Sequence, residues 1–173
     1  MDKKTKQNKV VIVTGSRNWK DKDTVWKALD KENPTLVVHG GAKGADAIAD
    51  EWASKNDVEC RVYKAKWNTY GLAAGPIRNE FMVTEYPDAE VLAFPTPDSK
   101  GAVHCMNFAM SRGLAVKNYG HTLEECNDCS VLMNRKYYCG DTDYGHEGLC
   151  CDCFDESLGM PETLRTYNRK TQK

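Results

Sequence analysis

No apolar run in this sequence approaches the roughly 20 residues that a membrane-spanning helix needs. The start, "MDKKTKQNK", is polar and lacks the apolar core of a secretory signal peptide. Neither positive nor negative charge predominates, because 24 basic residues are balanced by 25 acidic ones. The balance gives no global attraction to nucleic acid or membrane. We therefore expect a cytoplasmic protein that binds neither, with residues 1–8 as a frayed basic terminus.

Cysteine is scarce in the first 119 residues and abundant afterwards. Cys60 and Cys105 are the only two of the eight cysteines in that first part. The charge changes at the same place, from 18 basic against 15 acidic residues to 6 against 10. We therefore predict a domain over 9–119, a Cys-rich unit over 120–162 and a tail over 163–173.

Short β-branched runs alternate with helical patterns throughout the first domain. Strands are predicted at 9–17, 35–41, 60–65, 90–95 and 114–119. Between them, Ala45, Ile48, Ala49 and Trp52 recur at the spacing of one helix face. The alternation predicts an α/β, Rossmann-like fold, with a mostly parallel sheet covered by helices on both faces. In such sheets ligands bind outside the carboxyl ends of the strands.

Helix boundaries are also readable from the sequence. Asp21 or Asp23 is suited to cap the first helix, and Gly113 is suited to end the last one. Pro76 is expected to open the helix that carries Ile77 and Phe81.

Glycines and cations follow the predicted strand ends, as in "VVHGGAKGADAIADEW" (37–52). Glycine lets backbone N–H groups approach a ligand closely, and a helix start favours anions. The candidate phosphate-binding residues are Gly15, Ser16, Arg17, Gly40, Gly41, Lys43, Gly44, Asp46, Arg78, Asn79, Ser99 and Gly101. The alternative is that the glycines only form the turns, but several such turns at one sheet edge favour phosphate binding.

Three segments, "VTGSRNWKDKDTV", "VVHGGAKGADAIADEWA" and "KWNTYGLAAGPIRNEFMV", resemble the YspA-like branch of the SLOG superfamily. The superfamily also holds the Lonely Guy phosphoribohydrolases and the DprA-like proteins. The resemblance implies a Rossmann-like domain that binds nucleotides or nucleotide-derived ligands. It implies phosphate loops at residues 15–17 and 40–46, a pocket completed by Arg78 and Asn79, and Trp67 near the pocket wall.

One segment departs from that resemblance. Lonely Guy enzymes carry a "PGGxGTxxE" segment whose glutamate serves hydrolysis, whereas here the stretch reads "FPTPDSKGAVHC" and Cys105 stands at the glutamate position. Cleavage of an N-glycosidic bond needs an acid or a base within reach, so we expect binding without turnover. In an enzyme, Asp46 or Glu80 would have to serve. The alternative for Asp46 is that it caps a helix or binds a ribose hydroxyl. The alternative for Glu80 is that it lies on a solvated helix face.

The C-terminal cysteines have the spacing of a structural zinc site. "CNDC" and "CCDC" form two C-x2-C pairs separated by twenty residues. Four thiolates complete a tetrahedron around zinc, and nothing here indicates the oxidising compartment that disulfides need. The predicted ligands are Cys126, Cys129, Cys150 and Cys153. Cys139, Cys151 and His146 are alternative ligands.

Three functions remain open at this point. The first is a binding protein for an ADP-ribose-like or cyclic-nucleotide signal, acting as a sensor or as a sequestering decoy of bacterial or phage origin. The second is a nucleotide or N-glycoside hydrolase of the Lonely Guy type, and the third is a zinc-ribbon adaptor. The missing glutamate favours binding over hydrolysis, and the retained arginines and glycine turns favour it over an adaptor. We also expect a homo-oligomer.

Overall fold

Five parallel strands form the sheet of the first unit, as the alternating pattern predicts. The structure is a computed structural model that describes residues 8–125 and 132–133. The strands of this sheet are β1 (Val10–Gly15), β2 (Leu36–His39), β3 (Glu59–Val62), β4 (Glu90–Phe94) and β5 (Val116–Asn118). The helices are α1 (Lys22–Glu32), α2 (Ala45–Lys55), α3 (Trp67–Tyr70), α4 (Ala74–Glu85) and α5 (Lys100–Ser111), and a 3-10 turn spans Gly71–Ala73. The α/β, Rossmann-like fold class is therefore confirmed.

The central strand of the sheet is β1. The strand order is β3-β2-β1-β4-β5, and every neighbouring pair is parallel. The chain builds β2 and β3 on one side of β1 and then crosses to build β4 and β5 on the other. Such a reversal of direction opens a crevice outside the carboxyl ends of the strands. The crevice lies beside Gly15, where β1 ends.

Helices cover both faces of the sheet. Successive residues of β1 point to opposite faces, so Val11 and Val13 pack in one cluster and Ile12 in the other. The first cluster contains residues of α1 and α2, including Leu29 and Trp52. The second contains residues of α4 and α5. Because β1, β2 and β4 are buried on both faces, they consist of nearly continuous apolar runs, whereas the edge strand β3 is largely exposed.

The predicted helix signals agree with the structure in most places. Asp21 caps α1, and its side chain accepts the N–H of Thr24 at 3.1 Å. In α2 the predicted apolar stripe faces the core: Ala45, Ala49 and Trp52 are buried, and Ile48 packs against them. α5 ends two residues before Gly113, which has a φ of 81°.

The region before α4 differs from the sequence prediction. α3 and the 3-10 turn were not predicted, because elements of three or four residues are too short to show helical periodicity. α4 begins at Ala74, so Pro76 is its third residue rather than its first. Proline is tolerated there because the first N–H groups of a helix have no partner within it.

The chain divides into two units after His121. In the second unit the structure describes one antiparallel pair, β6 (Glu124–Glu125) and β7 (Leu132–Met133). The predicted zinc ligands, the tail over 163–173 and the terminus over 1–7 lie outside the described residues. Among the residues that the structure describes, none of the helices has the length and apolarity to cross a membrane.

Candidate functional site: a cationic cleft at the carboxyl edge of the sheet

A cleft of about 750 Å³ lies over the carboxyl ends of β1, β2 and β3. Its floor and walls come from the loops after these strands and from α3 and α4. The lining residues are Arg17, Asn18, Gly40, Gly41, Ala42, Lys43, Lys64, Ala65, Trp67 and Arg78. The structure therefore brings six of the predicted site residues into one cavity, at the edge where the parallel sheet places ligands.

Four of the lining residues are cations, and none is a carboxylate, an imidazole or a thiol. Arg17, Lys43 and Lys64 are exposed, and Arg78 is half-buried. A cleft lined by charges of one sign concentrates the potential within it and attracts ions of the opposite sign. The lining is therefore suited to an anionic ligand.

Arg78 is held in place by the protein itself. Its Nη1 donates to the carbonyl oxygen of Tyr63 at 3.1 Å, and its Nε donates to Oδ1 of Asn79 at 3.0 Å. The guanidinium lies directly over Gly40, where any side chain would overlap it. Burial lowers the pKa of Arg78, while the charge of Asp46 acts in the opposite direction. An arginine nevertheless stays charged in proteins, so the cleft keeps this cation at every working pH.

Three amides of the glycine loop after β2, residues 40–44, point inward rather than into the cleft. Oδ2 of Asp46 accepts the N–H groups of Gly40 and Ala42, both at 3.1 Å. The N–H of Gly41 donates to Nδ1 of His39 at 3.0 Å. The sequence predicts that Gly40 and Gly41 approach a phosphate with their amides, but these amides and that of Ala42 are engaged within the protein. In this conformation a ligand anion in the cleft meets the cationic side chains.

Asp46 is buried beneath this loop, in the first turn of α2. Burial raises the pKa of its carboxyl, and the N–H of Ala42 acts in the opposite direction. The helix itself is capped at Gly44 without a side-chain hydrogen bond, so Asp46 holds the loop rather than caps the helix.

The loops after β1 and β4 join each other through hydroxyl groups. Oγ1 of Thr96 donates to Oγ of Ser16 at 2.9 Å and lies 3.0 Å from Oγ of Ser99. Oγ of Ser16 also accepts the N–H of Asn18 at 3.0 Å. Nearby, Nδ2 of Asn79 donates to the carbonyl oxygen of Gly101 at 3.0 Å and links α4 to α5. The predicted site residues 16, 79, 99 and 101 thus connect elements around the cleft and do not line it.

Two further predicted residues are placed by packing. A Cβ at Gly15 would overlap that of Ala45, so this glycine allows β1 to end against α2. Gly44 has a φ of 76°, and a Cβ there would collide with the carbonyl oxygen of Ser16. Both glycines therefore serve contacts within the protein.

Glu80 and Cys105, the other two positions considered for hydrolysis besides Asp46, do not line the cleft. Oε1 of Glu80 is 3.4 Å from Nε2 of His104, which joins α4 to α5. Cys105 is fully buried in the core on the same side of the sheet. Burial raises the pKa of its thiol to about 11. Neither side chain offers an acid or a base to a ligand in the cleft.

Trp67 and Arg17 meet across the cleft. The guanidinium carbon of Arg17 lies 5.7 Å from the centre of the Trp67 ring, within range of a cation–π contact. The indole is nevertheless about half exposed, so its ring remains open to a planar ligand.

Sequence reasoning missed four of the lining residues, which are Asn18, Ala42, Lys64 and Ala65. Lys64 lies just beyond β3, so the rule that ligands bind at strand ends could have found it. Asn18 directly follows the first predicted phosphate loop.

One group of potential metal ligands, His39, Asp50 and Cys60, occurs in the described part of the chain. Nε2 of His39 lies 3.1 Å from Sγ of Cys60 and 3.4 Å from Oδ1 of Asp50. Nδ1 of His39 accepts the N–H of Gly41, so a neutral ring carries its proton on Nε2, the atom that a metal would need. Burial also raises the pKa of the Cys60 thiol to about 12. The group therefore fits a hydrogen-bond chain that supports the glycine loop.

The sequence around this cleft matches a known family. The model of the YspA, cpYpsA-related SLOG family matches residues 9–70, which include the loops after β1, β2 and β3. The Gene 61 protein of Mycobacterium phage D29 is 45% identical over 120 residues, which cover 64% of this chain and 95% of that protein. The chain belongs to the YspA, cpYpsA-related SLOG family.

The SLOG domain of this chain also resembles a solved structure. DNA processing protein A (DprA) from Streptococcus pneumoniae superposes with a TM-score of 0.53 at 21% sequence identity. The match covers 64% of this chain and 50% of DprA, so this chain spans half the length of that protein. At this identity the likeness concerns the fold.

Proposed function

We propose that this SLOG protein binds a nucleotide-derived small molecule through its phosphates and releases it unchanged, as a sensor or a sequestering protein. The observation that carries the proposal is a cleft at the carboxyl edge of the sheet with four cations and no carboxylate in its lining. Phosphate groups suit such a lining, because guanidinium groups bind them with two parallel hydrogen bonds. An ADP-ribose-like or cyclic-nucleotide signal carries the negative charge that these cations attract.

The fixed position of Arg78 supports phosphate recognition. Two of its five N–H groups bond to Tyr63 and Asn79, which orients the guanidinium before a ligand arrives. A preorganised group loses less conformational entropy on binding than a mobile one. Arg17, Lys43 and Lys64 add exposed positive charge around it.

The carboxylates near the cleft argue against turnover. Asp46 is buried and accepts two amides of the glycine loop, and Glu80 faces His104. General acid–base catalysis needs a group within hydrogen-bond reach of the proton it transfers. A cleft that supplies cations without such a group holds a phosphorylated ligand and leaves its bonds intact.

The test is ligand binding followed by recovery of the ligand. The purified protein is titrated by calorimetry with adenine nucleotides, ADP-ribose, cyclic ADP-ribose isomers and nucleoside monophosphates. It is then heat-denatured, and the released molecule is identified by chromatography. We expect at least one of these compounds to bind and to be recovered unchanged. Free base or ribose phosphate formed over many turnovers, and lost in Asp46→Asn or Glu80→Gln, would instead establish a hydrolase.

A matched pair of variants connects binding to the cleft. Arg17→Gln removes an exposed cleft cation and should weaken binding roughly 10- to 100-fold, as expected for a lost charge-assisted hydrogen bond. Arg112→Gln removes an exposed cation at the end of α5 and should bind like the unmodified protein. Equal binding by all three proteins would place the ligand elsewhere.

A further inference from the structure

A second, smaller pocket of about 370 Å³ adjoins the cationic cleft. It lies between the end of β3, α3 and α4. The lining residues are Val62, Tyr63, Lys64, Lys66, Tyr70, Ala74, Ile77, Arg78 and Phe81. Lys64 and Arg78 line both cavities, so the two are neighbours with Arg78 at their common wall.

Much of the wall of this pocket consists of apolar side chains that are exposed to solvent. Phe81 is 58% exposed and Tyr70 is 48% exposed, and Val62 and Ile77 are also exposed. The ring of Tyr63 packs against that of Phe81 with 5.8 Å between their centres. Single exposed apolar residues are ordinary, but a contiguous exposed group of them marks a binding surface.

The charges around the pocket indicate what kind of ligand fits it. Lys64, Lys66 and Arg78 combine with the aromatic and aliphatic wall. A ligand suited to this combination has a flat apolar part and an anionic part side by side, which describes a nucleobase joined to phosphate. A second copy of the chain suits it less well, because an apolar partner face would bury these cations without counter-charges.

We propose that this pocket binds the nucleobase of the ligand whose phosphates occupy the cationic cleft. The inference rests on the proposed function and narrows it, because it requires a ligand that carries its base. Base stacking on aromatic side chains tolerates different bases, so the pocket selects base-bearing nucleotides over ribose phosphates more strongly than one base over another.

The experiment compares ligands with and without a base. AMP, GMP, CMP and UMP are titrated against ribose phosphate and inorganic phosphate by calorimetry. We expect at least one nucleotide to bind roughly tenfold or more tightly than ribose phosphate, which has the same phosphate and sugar. Equal affinity for nucleotides and ribose phosphate would overturn the base pocket and leave the proposed function standing. If neither these probes nor ADP-ribose and the cyclic ADP-ribose isomers bind, both proposals fail.

Variants assign the preference for a base to this pocket. Phe81→Ala should remove most of the difference in affinity between the nucleotide and ribose phosphate. The affinity for ribose phosphate itself should stay unchanged. Met110→Ala removes an exposed apolar side chain of α5 outside the pocket and should keep the difference. Thermal unfolding checks that both variants fold. If Phe81→Ala instead separates an oligomer into monomers and keeps the difference, the surface joins copies of the chain and the inference is wrong.

Discussion

Gly40 and Gly44 lie in the same loop, but different atoms exclude a side chain at each. At Gly40 the obstacle is the guanidinium of Arg78, the far end of a flexible side chain. At Gly44 the obstacle is the carbonyl oxygen of Ser16, and the φ of 76° is itself unfavourable for other residues. Gly40 therefore leaves room for the guanidinium of Arg78 in the cleft. Gly44 allows the loops after β1 and β2 to approach each other closely.

This difference predicts that one alanine substitution mainly weakens ligand binding and the other mainly lowers stability. Gly40→Ala should push Arg78 aside and weaken ligand binding about tenfold or more, while the loss of stability stays small because a side chain can move. Gly44→Ala should lower the free energy of unfolding by about 1–3 kcal/mol or more, because the backbone must shift. Urea unfolding and calorimetric titration measure the two effects.

Gly101→Ala is the control for both substitutions. Nothing lies near the position that its Cβ would take, and the residue is in the first turn of α5. The variant should be as stable as the unmodified protein or slightly more so, because alanine favours helix over glycine. A stable Gly44→Ala variant would contradict the close approach of the two loops.

At the scale of whole elements, four charged residues join the sheet to α1 at the amino end of the strands. Lys9 and Lys117 each form ion pairs with both Glu32 and Glu90. Glu32 is buried at the end of α1, whereas the lysines are partly exposed. Burial alone would raise the pKa of Glu32, but hydrogen bonds from Lys117 and Lys9 outweigh it and lower the pKa to about 2.

The low pKa predicts loss of stability in acid. A carboxyl group with a lowered folded-state pKa stabilises the protein above its unfolded value of about 4.3. This contribution is lost as the pH falls from about 5 toward 2. We expect it to be on the order of 1–3 kcal/mol, reduced by solvent around the exposed lysines.

Glu32→Gln tests the acid prediction. The variant should be less stable than the unmodified protein at neutral pH and should lose less stability between about pH 5 and pH 2. Urea unfolding at several pH values measures both effects. Asp57→Asn, which changes an exposed carboxyl, should keep the pH dependence of the unmodified protein. Identical pH profiles for Glu32→Gln and the unmodified protein would show that the network does not stabilise the fold.

For the whole molecule, we expect the SLOG domain and the Cys-rich unit to obtain their stability in different ways. The first unit has two apolar clusters, one on each face of its sheet. A unit of about fifty residues has little room for such a core and depends on other stabilisation, of which bound metal is one kind. The C-x2-C pairs remain the basis for proposing zinc there.

We expect one zinc per chain, bound by Cys126, Cys129, Cys150 and Cys153. Metal analysis of protein purified without added zinc measures it, and Cys129→Ser should lower the zinc content. Cys60→Ser should leave the content unchanged, because its neighbour His39 carries the proton on the nitrogen facing it. Less than about half an equivalent of zinc, with no change in free thiols after chelation, would contradict the site.

The sequence by itself determined the fold class and the edge of the sheet where the cleft lies. Both depend on local signals: apolar runs predict strands, the stripe through Ala45 and Trp52 predicts a helix, and their alternation makes the sheet parallel. In a parallel sheet the residues after successive strands must share one edge. Arg17, Gly40 and Lys43 could therefore be assigned to one site without knowledge of side-chain positions.

Only the tertiary structure decided what each of these residues does. Nothing in the sequence indicates that the N–H of Gly40 has a partner within the protein. In the structure, the carboxylate of Asp46 lies close enough to accept this N–H. Arg78 comes to Gly40 from α4, and Lys64 completes the cleft from the loop after β3. Hydrogen bonds require distances near 3 Å and aligned donors, and sequence spacing does not specify these across elements. Local periodicity is sufficient to assign a loop to one edge of the sheet. The direction of the loop's amides depends on which acceptor lies nearest in the packed structure.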